Sequence, residues 1–280
     1  MEQKTGKNKV AQTVKVVVLY VLLILYISPF IIVLLNSFKT NGDILNNPLS
    51  FGFSAAFDNY KTAFEEMNFL SSFLNTVVIS AVSVGLIILT SSMTAYFLAR
   101  VKTKFNAFIY MLMVMAMIIP FQAVMIPLVS IYGGMGILNS RITLIYMYIG
   151  FGSSMAVFII ESFIRAGVPI SLEEAAELDG CSKVQTFFKV VLPLLKPTIA
   201  TVVVLDVLWV WNDYLLPSLL LTKSQQLTLP LSTYAFYGSF SVNYGPLLSS
   251  LILTIAPVLI IYLILQDKII SGVVAGAVKS

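Results

Sequence analysis

Residues Arg165 to Pro197 read RAGVPISLEEAAELDGCSKVQTFFKVVLPLLKP. Pro169 cannot continue a helix arriving from its N-terminal side, because proline lacks the N–H and its ring crowds the preceding turn. Two residues later, Ser171-Leu172-Glu173-Glu174 has the form of a capping box. In such a box the Ser171 hydroxyl accepts from the Glu174 N–H, and the Glu174 carboxylate accepts from the Ser171 N–H. Ala175, Ala176, Glu177 and Leu178 favour helix, and Gly180 supplies a stop. Ser182 to Gln185 repeats the capping pattern. Val184, Phe187, Phe188, Val191 and Leu192 then recur at i, i+3, i+4, i+7 and i+8, one apolar helix face. Pro193 and Pro197 interrupt the chain again. The spacing predicts a short helix, a glycine turn and a second, amphipathic helix.

Apolar runs flank this stretch on both sides. A hydrocarbon core about 30 Å thick needs roughly 20 apolar residues in helix. Six segments qualify: Val16–Leu35, Phe73–Leu98, Phe105–Ile126, Thr143–Ile164, Ile199–Leu221 and Leu247–Leu265. Only 11% of the residues are charged and 58% are hydrophobic. A soluble domain carries roughly 25% charged residues, so lipid must be the solvent for much of the surface. The expected fold is an all-α polytopic membrane protein of about six transmembrane helices. Residues 1–15 form an N-terminal segment, 16–265 the membrane domain including the loop 165–197, and 266–280 a tail. The first apolar run is too long for a signal peptide and lacks a small-residue cleavage pattern. Pro120 and Pro127 predict a kink or early exit in the third span. With no His and one Cys, Cys181, the chain can form no His-ligated zinc site, no Ser-His or Cys-His nucleophilic pair and no internal disulfide. Nothing in it suggests an enzyme.

Lys and Arg prefer the cytoplasmic side. With the N-terminus inside, the inner segments hold Lys4, Lys7, Lys9, Lys15, Arg100, Lys102, Lys104, Arg165, Lys183, Lys189, Lys196, Lys268 and Lys279. The outer segments hold only Lys39, Lys61, Arg141 and Lys223. Both termini and the 165–197 loop are therefore expected in the cytoplasm. Glu173, Glu174, Glu177 and Asp179 would be repelled by an anionic inner leaflet, which favours a protein partner over an interfacial helix. The small Ala175–Ala176 pair lets such a partner approach closely, and Glu174 offers it a charge. The first outer loop, about Asn36 to Ser72, reads equally as a solvated connector or as a docking surface.

The pattern Glu174-Ala175-Ala176, Gly180, Val190 and Leu192-Pro193 resembles the EAA loop of ATP-binding-cassette importer permeases, with Val190 where the usual pattern has Ile. The resemblance implies the type I importer architecture. It also implies that Glu174, Ala175, Ala176 and Gly180 form a coupling helix held in a groove of an ATPase subunit, with Leu192 and Pro193 anchoring the next span. The C-terminal QDKIISGVVAGAVKS is similar to the tail of the shorter permease of maltose and multiple-sugar importers. Gln266, Gly272, Gly276 and Lys279 match that pattern, which implies a further coupling role beside the simpler reading of a frayed terminus. The likeness implies a bacterial plasma-membrane protein with several partners: a second, different permease, an ATPase dimer, an external solute-binding protein and a sugar. No G-x-x-x-x-G-K-[ST] loop is present to cradle a nucleotide, so no cofactor is expected here, and ATP and Mg belong to the ATPase.

The fifth apolar segment carries Asp206, Trp209, Trp211, Asn212 and Asp213. Ionisable groups at membrane depth are costly and usually face a bundle interior or a wet cavity. Aromatic rings beside amide and carboxylate acceptors suit a sugar, which offers apolar C–H faces and a hydroxyl rim. The same residues read as an interfacial belt with Asn212 and Asp213 tying helices together. A secondary transporter or channel coupling through Asp206 and Asp213 is the competing function.

Overall fold

The computed structural model describes residues 2–55, 57–237 and 242–277. Among the described residues the fold is all-helical apart from one bridge pair, Tyr237 with Val242. The chain divides into two compact units, Met1–Met67 with Thr233–Ile255, and Asn68–Ser232 with Ala256–Ser280.

In the first unit, α1 (Glu2–Asn36) is a single long helix. Its apolar part, Ala11–Asn36, has mean hydropathy 2.9 and is long enough to cross a bilayer. The helix begins well before the expected Val16, and from Ala11 to Leu35 it is almost entirely exposed, as a lipid-facing span can be. α2 (Asn41–Asn46) is capped by the Thr40 hydroxyl, which accepts from the Asp43 N–H. α3 (Asp58–Glu66) follows. The Asn59 amide donates to the Ser37 and Lys39 carbonyls at 2.8 and 2.9 Å, and the Ser249 hydroxyl also donates to Ser37 at 3.0 Å. The loop after α1 is thus an organised element, not a loose connector.

The second unit is built on α4 (Phe69–Arg100). It continues through α5 (Lys104–Ala116), α6 (Phe121–Gly134), α7 (Arg141–Gly167), α8 (Ile170–Leu178) and α9 (Lys183–Thr186). A π turn over Phe187–Val191 leads into α10 (Leu192–Leu194), α11 (Lys196–Asn212), α12 (Leu215–Leu220) and α13 (Leu229–Ser232). Helices α4 and α7 form its central pair. Ile87, Ala95 and Leu98 of α4 meet Ala156, Ile160 and Ile164 of α7, and the same cluster takes in Phe187, Val191 and Leu195. A second cluster joins Ile79 and Val84 to Leu144 and Met147 and to Leu216 and Leu220 of α12. Small residues let membrane helices approach closely. Gly152 does so here, since a Cβ at that position would lie 2.7 Å from Ile87 Cδ1.

Two of the six expected segments are not single rods. Phe105–Ile126 is divided between α5 and α6, which are bent by 100° at the break. Pro120 has no N–H to donate and disfavours helix at Ile119, whereas Pro127 is accommodated inside α6. Ile199–Leu221 is interrupted at Asp213, whose backbone is extended, before α12 restarts. The second and fourth segments are continuous and extend a few residues beyond their expected ends. The last helix, α14 (Tyr244–Ala277), outruns the expected Leu247–Leu265 and contains Pro257. Among the described residues three helices are long and apolar enough to cross a membrane, each bent pair taken as one span makes five, and the apolar part of α14 brings the number to about six.

Candidate functional site

The loop quoted above folds as a helix, a turn and a second helix, with two local corrections. Helix α8 starts at Ile170 after Pro169 as N-cap, with no side-chain cap. Ser171 therefore lies inside the first turn, and the expected Ser171–Glu174 capping box does not form. Pro169 already supplies an extended residue with no donor to satisfy, so the helix begins there. The C-terminus is as expected. The Cys181 N–H donates to Ala176 O at 2.9 Å and the Gly180 N–H to Glu177 O at 3.0 Å. This is a Schellman closure that needs the left-handed φ of +83° at Gly180. Ser182 and Gln185 form the expected reciprocal box.

The second correction concerns the amphipathic face. The π turn holds an extra residue and rotates the stripe, so that Phe187, Val191 and Leu195 are buried while Val184 and Phe188 are exposed. Leu192 packs against the same core. Pro193 sits in the first turn of α10, and the chain bends by 76° between Lys183–Leu194 and Lys196–Asn212.

Which residues α8 presents differs from expectation. Glu174 and Ala175 face outward, but Ala176 is buried, where its small side chain lets α8 seat on α9 and the π turn. One turn beyond Glu174, Leu178 projects with 90% of its surface exposed. The outward face is therefore Glu174, Ala175 and Leu178. Glu173, grouped by sequence with the acidic surface, turns inward. It accepts from Arg100 at the end of α4 (Nη2–Oε1 2.6 Å, Nε–Oε1 2.8 Å) and from the Tyr96 hydroxyl at 2.9 Å. Arg100 also donates to Val168 O at 2.8 Å. A half-buried, charge-assisted network thus latches α8 to α4. Charge-assisted bonds are roughly twice as strong as neutral ones. Adjacent in the sequence, Glu173 and Glu174 face opposite ways.

The residues singled out around α11 separate in the same way. Trp209 lines a cleft of about 720 Å³ beside the α5–α6 break, with Phe121, Tyr146, Phe151 and Ser154 among its walls. A smaller cleft of about 280 Å³ adjoins it, sharing Phe121, Phe151 and Trp209 and adding Gln122 and Asp213. Trp211 is instead buried edge-on against Phe73, with ring centroids 6.0 Å apart. The Asn212 amide donates to Leu208 O of its own helix at 2.8 Å. Asp213 Oδ2 accepts from the Tyr148 hydroxyl of α7 at 2.9 Å, while Oδ1 accepts from the Leu215 N–H at 3.0 Å, capping α12. Asp206 is buried, and its Oδ2 has no hydrogen-bond partner among the described residues. Phe121 and Gln122 were not legible as cleft residues, because only the bend at Pro120 brings them beside Trp209, whereas Tyr146 and Phe151 reach it through the packing of α7 on α11. In the tail, Gln266, Gly272 and Gly276 lie along α14, and Lys279 falls outside the described residues.

A model of one protein family, described as the binding-protein-dependent transport system inner membrane component, matches residues 87–273. The chain belongs to that family. The matched region includes the Arg100–Glu173 latch, the exposed face of α8 and both clefts. It is thus a component of a transport system in the cytoplasmic membrane, crossing it several times. The chain is similar, at 46% identity over 92% of its length and 94% of the other, to the "Probable starch degradation products transport system permease protein AmyC" of Thermoanaerobacterium thermosulfurigenes. It is 37% identical to the "Multiple sugar-binding transport system permease protein MsmG" of Streptococcus mutans, over 93% of this chain and 96% of that one. Among solved structures, a chain of a bacterial ABC transporter involved in import of the acidic polysaccharide alginate shares the fold. The TM-score is 0.77 at 21% identity, with 93% of this chain and 97% of that chain covered. For this family member the fold is that of an ABC importer permease.

Proposed function

We propose that this permease forms one half of the membrane pathway of an ATP-driven sugar importer and is driven through the outward face of α8. The sugar class follows from the likeness to permeases named for starch products and multiple sugars. The observation that carries the coupling is the paired use of adjacent glutamates, Glu173 latched to Arg100 and Glu174 free on the surface. A helix that transmits force needs a rigid attachment on one side and a free docking face on the other. The ATPase, which binds ATP and Mg, would grip Glu174, Ala175 and Leu178 in the cytoplasm. Gly180, Leu192 and Pro193 would pass the displacement to α11. The Lys and Arg distribution supports cytoplasmic termini and a cytoplasmic α8. A second, different permease would complete the pathway, and an external solute-binding protein would deliver the sugar. The tail, from Gln266 through Gly272 and Gly276 to Lys279, would make a further contact with the ATPase.

Cysteine crosslinking tests the docking face. In a Cys181→Ser background, Ala175→Cys is expected to trap the ATPase, whereas Ala176→Cys, buried against its own bundle, is expected to trap it poorly. Glu174→Lys should lower sugar uptake by at least tenfold with normal membrane insertion. Full uptake by Glu174→Lys, or no ATPase captured through residue 175, contradicts this assignment.

In the pathway itself, Trp209 is the residue of this subunit placed to stack on a sugar ring, with Gln122 and Ser154 nearby for its hydroxyls. Helix interruptions at membrane depth are tolerated where they line a water-filled cavity, and the α5–α6 break lines this cleft. Covering the apolar C–H face of one sugar ring, on the order of 50 Å², is worth about 1.3 kcal/mol at about 25 cal/mol per Å². Trp209→Ala should therefore raise the sugar concentration for half-maximal uptake by roughly tenfold, on the scale of about 1.4 kcal/mol per decade. Trp209→Phe should retain most of the affinity. An unchanged concentration dependence in Trp209→Ala removes Trp209 from the path. Ion coupling through Asp213 has no support here, since both its oxygens hold structural hydrogen bonds.

A further inference from the structure

The loop after α1 exposes large hydrocarbon side chains that neither the transport pathway nor α8 explains. Residues 44 to 57 contain no charged side chain, and Leu49, Phe51, Phe53 and Phe57 are exposed to 73, 83, 69 and 74%. The loop is pinned at two points to the end of the first span. The Asn36 amide, on the last residue of α1, donates to Pro48 O at 2.9 Å, and the Ala55 N–H donates to Phe38 O at 3.0 Å. Phe38 in turn holds Phe53 and Phe57, at ring-centroid distances of 5.4 and 5.9 Å. Between the pins, the hexapeptide Leu49–Ser54 projects at the level of the final turn of a membrane-crossing helix.

Several polar groups of this loop are engaged with the loop itself. Lys39 is fully buried and donates to Asn36 Oδ1 and Asn47 O, both at 3.1 Å, so its charge is satisfied by neutral oxygens within the loop. The Ser50 hydroxyl donates to Asn47 O at 2.9 Å, and the Ser54 oxygen accepts from the Thr40 N–H at 3.0 Å. The Ser54 and Thr40 hydroxyls also hold the Asp43 carboxyl below its ordinary range, keeping it ionised at the base of the loop. Hydrocarbon dominates the exposed tip. A protein partner is oriented by a few placed polar groups, whereas the exposed Ser50 and Ser54 of the tip already spend theirs on the loop. The headgroup–acyl boundary of a bilayer needs none, and apolar groups sink roughly 5–10 Å into it.

We propose that Leu49, Phe51, Phe53 and Phe57 insert into the outer-leaflet interface and anchor the outer end of α1 in the bilayer. This inference rests on α1 crossing the membrane, as does the proposed function. Depth-dependent quenching tests it on the transporter assembled with its partner subunits in proteoliposomes. In a Cys181→Ser background, the environment-sensitive dye NBD is attached at Phe51→Cys, at Lys61→Cys as a solvated control and at Tyr20→Cys in the middle of α1. The dye at position 51 is expected to lose at least half its emission to lipid spin-labelled near the headgroup and little to aqueous iodide. Position 61 should show the reverse, and position 20 should respond to lipid spin-labelled near the bilayer centre. Equal iodide quenching at 51 and 61 overturns the anchor, as does protection at 51 that appears only when the solute-binding protein is added. If position 20 is still quenched from the bilayer centre in those cases, the span reading stands and only the anchor fails. Phe53→Cys carries the same expectation if Phe51→Cys does not assemble.

Discussion

Arg100→Ala should uncouple the importer while leaving the membrane bundle in place. Removing the guanidinium leaves the buried Glu173 carboxylate with Tyr96 as its remaining partner. Breaking a buried pair from one side costs about 3–5 kcal/mol. Arg100 keeps 17% of its side chain exposed, so solvent screening places the effect at or below the low end, about 2–3 kcal/mol. The hydrophobic contacts of Phe187, Val191 and Leu195 do not depend on Arg100, so the loss should fall on the seating of α8. On a scale of about 1.4 kcal/mol per tenfold, seated α8 becomes roughly 30- to 100-fold less populated. Sugar uptake in vesicles should fall by at least tenfold at normal subunit levels, with ATP hydrolysis by the complex retained. The exchanged pair, Arg100→Glu with Glu173→Arg, should recover part of the uptake, which a nonspecific packing defect would not. Normal uptake by Arg100→Ala would mean that α8 transmits motion without this latch.

That latch marks the boundary of what the sequence made legible. Gly180, Ser182 and Pro193 act through backbone rules that operate within a few residues, and each behaves as its local chemistry dictates. The membrane spans were legible for a related reason, since hydropathy over about 20 residues is itself a local property. Glu173 was misread because its partner lies 73 residues away, and helical periodicity alone did not separate the inward from the outward glutamate. The apolar face of the second helix was misread for a different cause. The pattern implies a regular period of 3.6, and the π turn at Phe187–Val191 breaks it. The cleft residues were hidden because proximity to Trp209 depends on the angle of the break at Pro120 for Phe121 and Gln122, and on the packing of α7 against α11 for Tyr146 and Phe151. Whether a proline ends a helix, as Pro120 does, or is carried inside one, as Pro127 is, depends on packing that composition does not record. The residues around α11 could be read either as sugar contacts or as helix ties. The structure puts Trp209 at the clefts and Trp211 and Asn212 in contacts within the bundle, while Asp213 borders the smaller cleft with both oxygens hydrogen-bonded to α7 and α12.

Asp213 allows that division to be tested with two substitutions that differ in a single respect. Asp213→Ala removes the α12 cap, worth about 0.5–2 kcal/mol. It also strands the buried Tyr148 hydroxyl, worth about 1–3 kcal/mol. Because Tyr148 belongs to the second core cluster, the combined loss of about 2–4 kcal/mol should loosen the packing of α7 against α12. Thermal unfolding of the assembled complex in nanodiscs should shift down by several degrees, and uptake should fall with it. Asp213→Asn keeps a carbonyl oxygen to cap α12 and an amide that can donate to the Tyr148 oxygen, so both contacts survive without the charge. A structural aspartate therefore predicts a near-normal unfolding temperature and near-normal uptake for Asn, with Ala defective in both. A carboxylate that carries a coupling ion predicts the opposite signature, a stable Asn variant that transports nothing. The two roles differ only in whether the negative charge is needed, and the amide removes that charge while preserving the hydrogen-bond geometry.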